Sequence, residues 1–258
     1  MAGRITPPNI PTAEEAREEI TRRVALASEP WPQRDEVARP HVTRFLGEAE
    51  ALPQLLMRPF RRIPITRAAH PRTVMLMPGF ATHPARLRYL EKQIARAGHI
   101  PKRWGTGFNL GATEERLDIV EERLVQLHES AGEPLVLLGW SLGGLFAREL
   151  AKRQPDCTAK VITMGSPFSG DPRSNNVWRA YHFIAGHSVD NPPVEADIAA
   201  KPPVETVALW SPRDGMIAPR SACGTAAERD RAIALRCTHI GFTYAPEAIR
   251  TVLRELDW

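Results

Sequence analysis

Five short apolar runs, separated by longer amphipathic or glycine-rich segments, restrict what this chain can fold into more than any other feature. They are TVMLM from Thr73 to Met77, LVLLGW from Leu135 to Trp140, KVITM from Lys160 to Met164, TVALW from Thr206 to Trp210 and IALRC from Ile233 to Cys237. A strand that is apolar at successive positions must be covered on both faces, which is the environment of a parallel sheet with helices on either side. The intervening segments have the spacing for such helices, at about Ala85 to Ala97, Thr113 to Glu129, Leu142 to Lys152 and Pro246 to Leu256. In the second of these, Leu117, Val120, Leu124 and Leu127 share one helical face. With a further short strand around Ile100 to Trp104, the pattern predicts an α/β fold with a mostly parallel central sheet of about six strands.

The pattern begins near Thr73, and at 258 residues it can be completed around one core. Residues 1–70 read as a helical N-terminal extension packed on that core, and residues 71–258 as the α/β domain. Thr12 and Glu15 have capping-box spacing, and Ala13, Ala16, Ile20, Val24 and Ala27 fall on one face of the helix that follows. Leu52, Leu55, Leu56 and Met57 mark further helical packing elements. The stretch 168–203 breaks the βα rhythm: it mixes Trp178, Tyr181, Phe183 and Ile184 with Asn175, Asn176, Asn191, Pro192 and Pro193, and reads as a cap-like insertion over the sheet edge.

Composition removes several function classes. The 34 basic and 30 acidic residues give a net charge of +4 without long basic runs, which gives a nucleic-acid partner little support. No stretch approaches the ~20 apolar residues of a membrane span, and the N-terminal sequence has no secretory pattern, so a cytoplasmic location is expected. Cys157, Cys223 and Cys237 lack metal-ligand spacing and read as reduced thiols, with a Cys223–Cys237 bridge as the alternative. With neither H-E-x-x-H nor G-x-G-x-x-G after a strand, no metal or cofactor is expected. The oligomeric state is left open.

The chemistry concentrates at Gly139-Trp140-Ser141-Leu142-Gly143-Gly144, a G-x-S-x-G turn that directly follows an apolar strand and opens the helix LFARELAKR. Reversing a strand sharply into a helix leaves no room for side chains beside the serine, which is why glycines flank it. The same geometry holds the Ser141 hydroxyl out as a nucleophile and aims the free N–H of Leu142 at the charge that develops on attack. Met77-Pro78-Gly79-Phe80 ends the first strand at the same edge, making the Phe80 N–H the second candidate oxyanion donor.

A serine hydroxyl needs an imidazole to take its proton and a carboxylate to orient that imidazole. Hydrolases with this turn carry the three in the order serine, acid, histidine, and of the eight histidines only His239 follows Asp214. Asp214 lies in SPRDGMIAP, where an apolar strand gives way to a turn; Asp171 and Asp190 are the reserve candidates for the acid.

Together PGF, WGTGFNLG, GWSLGGLFAREL, GSPFSGDPR, SPRDGMIAP and THIGF resemble the α/β-hydrolase superfamily, in particular its bacterial esterase/lipase-like members, over roughly Thr73 to Leu256. Pro78 departs from the histidine that many relatives carry there, and helical sequence stands where larger members have their first two strands. The resemblance implies a cofactor-free serine carboxylesterase or lipase-like hydrolase acting on a small-molecule ester, with Ser141, Asp214 and His239 as its catalytic set. It makes Phe168, Trp178, Tyr181 and Phe183 of the cap candidates for an acyl-binding wall, joined by Trp140 beside the serine and by Trp104, Phe108 and Asn109 on the loop after the Ile100 strand. Acyl transfer, thioester cleavage or perhydrolysis through the same set, or binding without catalysis, are the alternatives.

Overall fold

A computed structural model describes residues 12–32, 39–50, 53 and 63–257. The helices are α1 (Ala13–Ala27), α2 (Val42–Gly47), α3 (Arg88–Arg96), α4 (Glu114–Ala131), α5 (Leu142–Arg153), α6 (Trp178–Ala185), α7 (Pro219–Cys223) and α8 (Pro246–Leu256). The strands are β1 (Thr73–Met77), β2 (Ile100–Arg103), β3 (Leu135–Trp140), β4 (Thr158–Met164), β5 (Glu205–Trp210) and β6 (Arg231–Ala234). They form a six-stranded sheet in the order β2-β1-β3-β4-β5-β6, every neighbouring pair parallel.

The apolar runs are explained by where their alternate side chains go. β1 and β3 are buried at every position. Val74, Leu76, Val136 and Leu138 face one core, shared with Leu90 and Ile94 of α3 and Ile249 and Val252 of α8. Met75, Met77, Leu135 and Leu137 face the other, with Leu117, Val120 and Leu124 of α4 and Phe146 and Leu150 of α5. Because successive residues of a strand point to opposite faces, two cores require apolar residues at both parities.

One expectation is corrected. The last strand covers Arg231–Ala234, not Ile233 to Cys237. It pairs with β5 from Val207↔Arg231 to Trp210↔Ala234; after Leu235 N donates to Trp210 O at 2.8 Å the chain leaves the sheet. Leu235 and Cys237 are therefore apolar because they enter the core from a loop. Helix α1 carries the expected Thr12–Glu15 capping box, and on its apolar face Ile20 and Val24 are 55% and 48% exposed. The helix meets α6 through polar groups: Arg23 Nη1 donates to Phe183 O and Ile184 O at 3.2 and 2.8 Å. Leu52, Leu55, Leu56 and Met57 lie outside the described residues.

The topology selects one crevice. From β1 the chain moves outward to β2, then crosses back to β3 on the other side, so connections diverge between β1 and β3. Ligands of open α/β sheets bind outside the carboxyl ends of the strands at such a switch point. Met77 at the end of β1 pairs with Gly139 of β3, so the segments after both strands emerge side by side. Among the described residues no helix is long and apolar enough to cross a membrane.

Leu138 is fully buried at the centre of the sheet. Leu138→Ala is expected to destabilise the fold by roughly 2–5 kcal/mol, read as a lower urea midpoint with little change in the slope of the transition.

Candidate active site

β3 turns into α5 at Ser141, whose backbone has φ 55° and ψ −124°, one of two non-glycine residues with positive φ among the described residues. Such strain persists only where the surroundings enforce it. Ser141 N is fixed by Met164 O of β4 at 2.9 Å. A Cβ on Gly139 would overlap the Gly143 backbone, and one on Gly143 would overlap the Met77 carbonyl and stand 2.7 Å from Pro78 O. The glycines of the motif thus allow the serine turn to lie directly against the end of β1.

His239 leaves the chain after β6, and its Nδ1 is 2.7 Å from Asp214 Oδ2. The other oxygen of Asp214 accepts the N–H groups of Met216 and Ile217, each at 2.8 Å. Asp171 and Asp190 are engaged elsewhere, with the Arg173 N–H and the Arg173 guanidinium. Asp214 and His239 are 1% and 2% exposed, so water screens their attraction little. Burial disfavours the charged imidazole, but the Asp214 charge and hydrogen bond, with a smaller push from Glu48, outweigh it and raise the His239 pKa. Trp140, next to Ser141, reaches across to this loop: its Nε1 donates to His239 O at 3.1 Å, and its ring lies 5.5 Å from the imidazole. Among the described residues Ser141 and His239 share no direct hydrogen bond. Catalytic bonds of this kind are often long until a ligand is bound.

The turn after β1 is braced by Asn109, whose Nδ2 donates to Pro78 O at 2.8 Å while its backbone exchanges bonds with Ala81 and Thr82. Gly79 keeps this turn close to the serine, because a Cβ there would lie 3.1 Å from Ser141 Cβ. Among the described residues the N–H groups of Phe80 and Leu142 donate to no protein acceptor. Both residues line, with Ser141, one apolar cleft of about 1000 Å³, its open mouth included.

The cleft sorts the other sequence candidates. Trp178 and Tyr181 of α6 line it, and the Tyr181 ring packs 4.8 Å from that of Phe80. Burial pushes the Tyr181 phenol up to about 12, so it stays neutral. Trp104, Phe108, Asn109, Trp140, Phe168 and Phe183 do not line this cleft. Trp104 is core, edge-on to Phe146; Phe168 lies beneath the Arg148 guanidinium at 4.1 Å. Asn109 and Trp140 brace neighbouring loops, as described, while Phe108 and Phe183 are 55% and 43% exposed. In their place stand Leu145, Phe146, Val189, Val194, Ile198 and Ile217. Leu145 and Phe146 follow the serine on the predicted helix and were accessible to helical spacing; the other four depend on loop paths that carry no periodicity.

No protein-family model and no curated protein matches the chain. Solved structures do. One, described with the metagenome-derived lipolytic enzymes LipS and LipT, has a TM-score of 0.56 at 13% identity over 75% of this chain and 96% of that one. Carboxylesterase CesB from Bacillus subtilis has a TM-score of 0.51 at 12% identity over 83% and 98%. Polyneuridine aldehyde esterase has 0.50 at 16% over 73% and 100%.

The chain has the α/β-hydrolase fold. In this fold the serine turn, the Asp214–His239 pair and the Gly79–Phe80 turn all lie beyond the carboxyl ends of the strands, and among the described residues no cluster of three metal-ligating side chains accompanies them. Gly143→Ala is expected to destabilise the protein by more than about 3 kcal/mol, whereas Gly107→Ala, whose Cβ meets nothing within 4 Å, leaves the thermal midpoint nearly unchanged. Calorimetry on the two variants checks the contrast.

Proposed function

We propose that the protein is a serine hydrolase that cleaves carboxylic esters with an apolar acyl group through an acyl-enzyme on Ser141. The observation that carries the reading is the buried His239–Asp214 pair standing beside a strained serine turn that opens onto an apolar cleft. The Asp214 bond holds the proton of a neutral imidazole on Nδ1, leaving Nε2 free to act as base.

Ser141 Oγ attacks the ester carbonyl carbon as His239 Nε2 takes its proton. The resulting oxyanion is held by the Phe80 and Leu142 N–H groups, which act in a site with little water. Collapse breaks the bond to the alcohol oxygen, which takes the proton from His239, and the acyl group remains on Ser141. Water then adds to the acyl carbonyl, giving its proton to His239; the acid leaves and Ser141 regains its hydrogen. Asp214 stays ionised and stabilises the imidazolium in both halves. The acyl chain lies along Leu145, Phe146, Trp178 and Ile217, beside the neutral Tyr181.

The central test is hydrolysis of p-nitrophenyl esters by the purified protein. Ser141→Ala is expected to abolish turnover in a folded protein, and Asp214→Asn to lower it by about 10⁴-fold. Undiminished hydrolysis by Ser141→Ala would remove the mechanism. Each methylene added to the acyl chain from acetate upward is expected to raise kcat/KM by roughly fourfold until the cleft is filled, following about 0.8 kcal/mol per buried CH₂. Added alcohols that divert the acyl group to new esters would make transfer the main reaction.

The pH profile offers a second check. Only neutral His239 can accept the serine proton, and the neighbouring carboxylates raise its pKa. The acidic limb of kcat/KM is therefore expected above the ordinary histidine value of about 6.5, with activity lost as pH falls through it.

A further inference from the structure

Directly after α2, a short 3₁₀ turn at Glu48–Glu50 carries a carboxyl group into the heart of the molecule. Glu48 is only 5% exposed. Its Oε1 accepts the His239 N–H at 2.7 Å and the Gly215 N–H at 2.9 Å, and its Oε2 accepts the Ile240 N–H at 3.0 Å. Among the described residues no lysine or arginine pairs with it. A buried carboxyl group surrounded by three backbone donors is a firm attachment, because losing it strands three N–H groups without water.

The donors are what give the attachment meaning. One belongs to His239 itself, one to the residue after it, and one to the residue after Asp214. A single side chain thereby fixes the spacing of the acid-bearing and base-bearing loops without touching the cleft. The surrounding segment is seated by other contacts: Asn176 Nδ2 donates to both Pro40 O at 3.0 Å and Gly215 O at 2.8 Å. Gly215 also admits the α2 backbone, since a Cβ there would overlap Arg44 O and come within 2.7 Å of Phe45 N.

We infer that Glu48 is a positioning residue for the acid–base pair, supplied by the segment that precedes the sheet, and that the pair's geometry and charge balance depend on it. The inference rests on the ester-hydrolase reading of Ser141, His239 and Asp214. Among the described residues the titratable groups around the imidazole are Asp214 from the loop after β5, Glu48 from the turn after α2, and Cys237 on its own loop, whose thiol burial keeps protonated. Trp140, Gly165 and Phe242, which pack on the ring from β3, the end of β4 and the turn before α8, do not titrate. Glu48 is thus the second negative group that favours the imidazolium formed during turnover.

The test pairs ester kinetics with direct titration of the His239 ring by NMR in full-length protein, the resonance assigned by its loss in His239→Gln. Glu48→Gln keeps the size of the side chain but removes its charge and turns an amide donor toward an N–H. It is expected to lower kcat by about tenfold to a hundredfold with KM within about twofold. It is also expected to move both the ring titration and the acidic limb to lower pH. Glu48→Asp keeps the charge at a shorter reach, so kcat falls while the limb holds its place; this variant carries the test if Glu48→Gln does not fold. A folded Glu48→Gln with wild-type kcat, limb and ring titration overturns the inference, as does a loss of thermal stability unaccompanied by either shift. If the wild type cleaves no ester yet the ring titration moves with Glu48→Gln, the hydrolase reading fails and the link from Glu48 to His239 stands.

Discussion

The structure turns on one backbone contact, the turn after β3 lying against the end of β1. Gly143 meets the carbonyls of Met77 and Pro78 at a distance that no Cβ allows, and Gly79 meets Trp140 and Ser141 almost as closely. Two strands that are neighbours in the sheet continue as two turns that touch, which brings Phe80 and Leu142 to the lining of one cleft. The strain at Ser141 follows from the same contact: a relaxed φ would move the turn away from β1. Hydrophobic burial of β1 and β3 supplies the rigid base against which that strain is held.

Around this contact, polar groups hold the Asp214–His239 pair from several sides. Asp214 gives one oxygen to two backbone N–H groups and the other to His239, so it cannot rotate without stranding a donor. The imidazole is then held from one nitrogen, from its own carbonyl by Trp140, and from its own N–H by Glu48. Gly165, with φ 58°, is the position where β4 yields space, since a Cβ there would lie 3.0 Å from both Asp214 Oδ2 and His239 Nδ1. Low local dielectric makes such a network stiff when complete and unfavourable when any member is missing.

What the sequence disclosed follows from which interactions leave a local pattern. β1 and β3 were legible to the residue because burial on both faces demands unbroken apolar runs. The edge strand β6 begins two residues and ends three residues before the expected run because half-exposed edges need no such run, while Leu235 and Cys237 are apolar for a different reason. The serine turn announced itself through glycines that only a close approach explains. Asp214, with Asp171 and Asp190 as rivals, was a choice among turn aspartates, and of the three it is Asp214 that lies 2.7 Å from His239. Trp104 and Phe168 look alike in sequence to Trp178 and Tyr181, and only the path of the loops separates core rings from lining rings. Glu48, one acid in the run GEAEA, had no signal at all, because its partners are backbone groups as far as 192 residues away.

The same residues ahead of the sheet reach the site from two directions, and the two attachments differ in kind. Glu48 works through buried backbone donors close to the imidazole. Helix α1 and the residues just after it work through a partly exposed polar seam. Arg23 bonds the end of α6, His182 bonds Leu26 O at 3.1 Å, and Arg173 joins Glu29 to Asp190 while lying 4.8 Å over the Trp178 ring. Trp178 and Tyr181 on α6 are cleft lining, so this seam bears on the shape of the cleft as Glu48 bears on His239. Charged contacts of this exposed kind weaken with salt, whereas buried hydrogen bonds to backbone are screened far less. Ionic strength is therefore expected to act on the seam beside α6 more than on the buried Asp214–His239 pair.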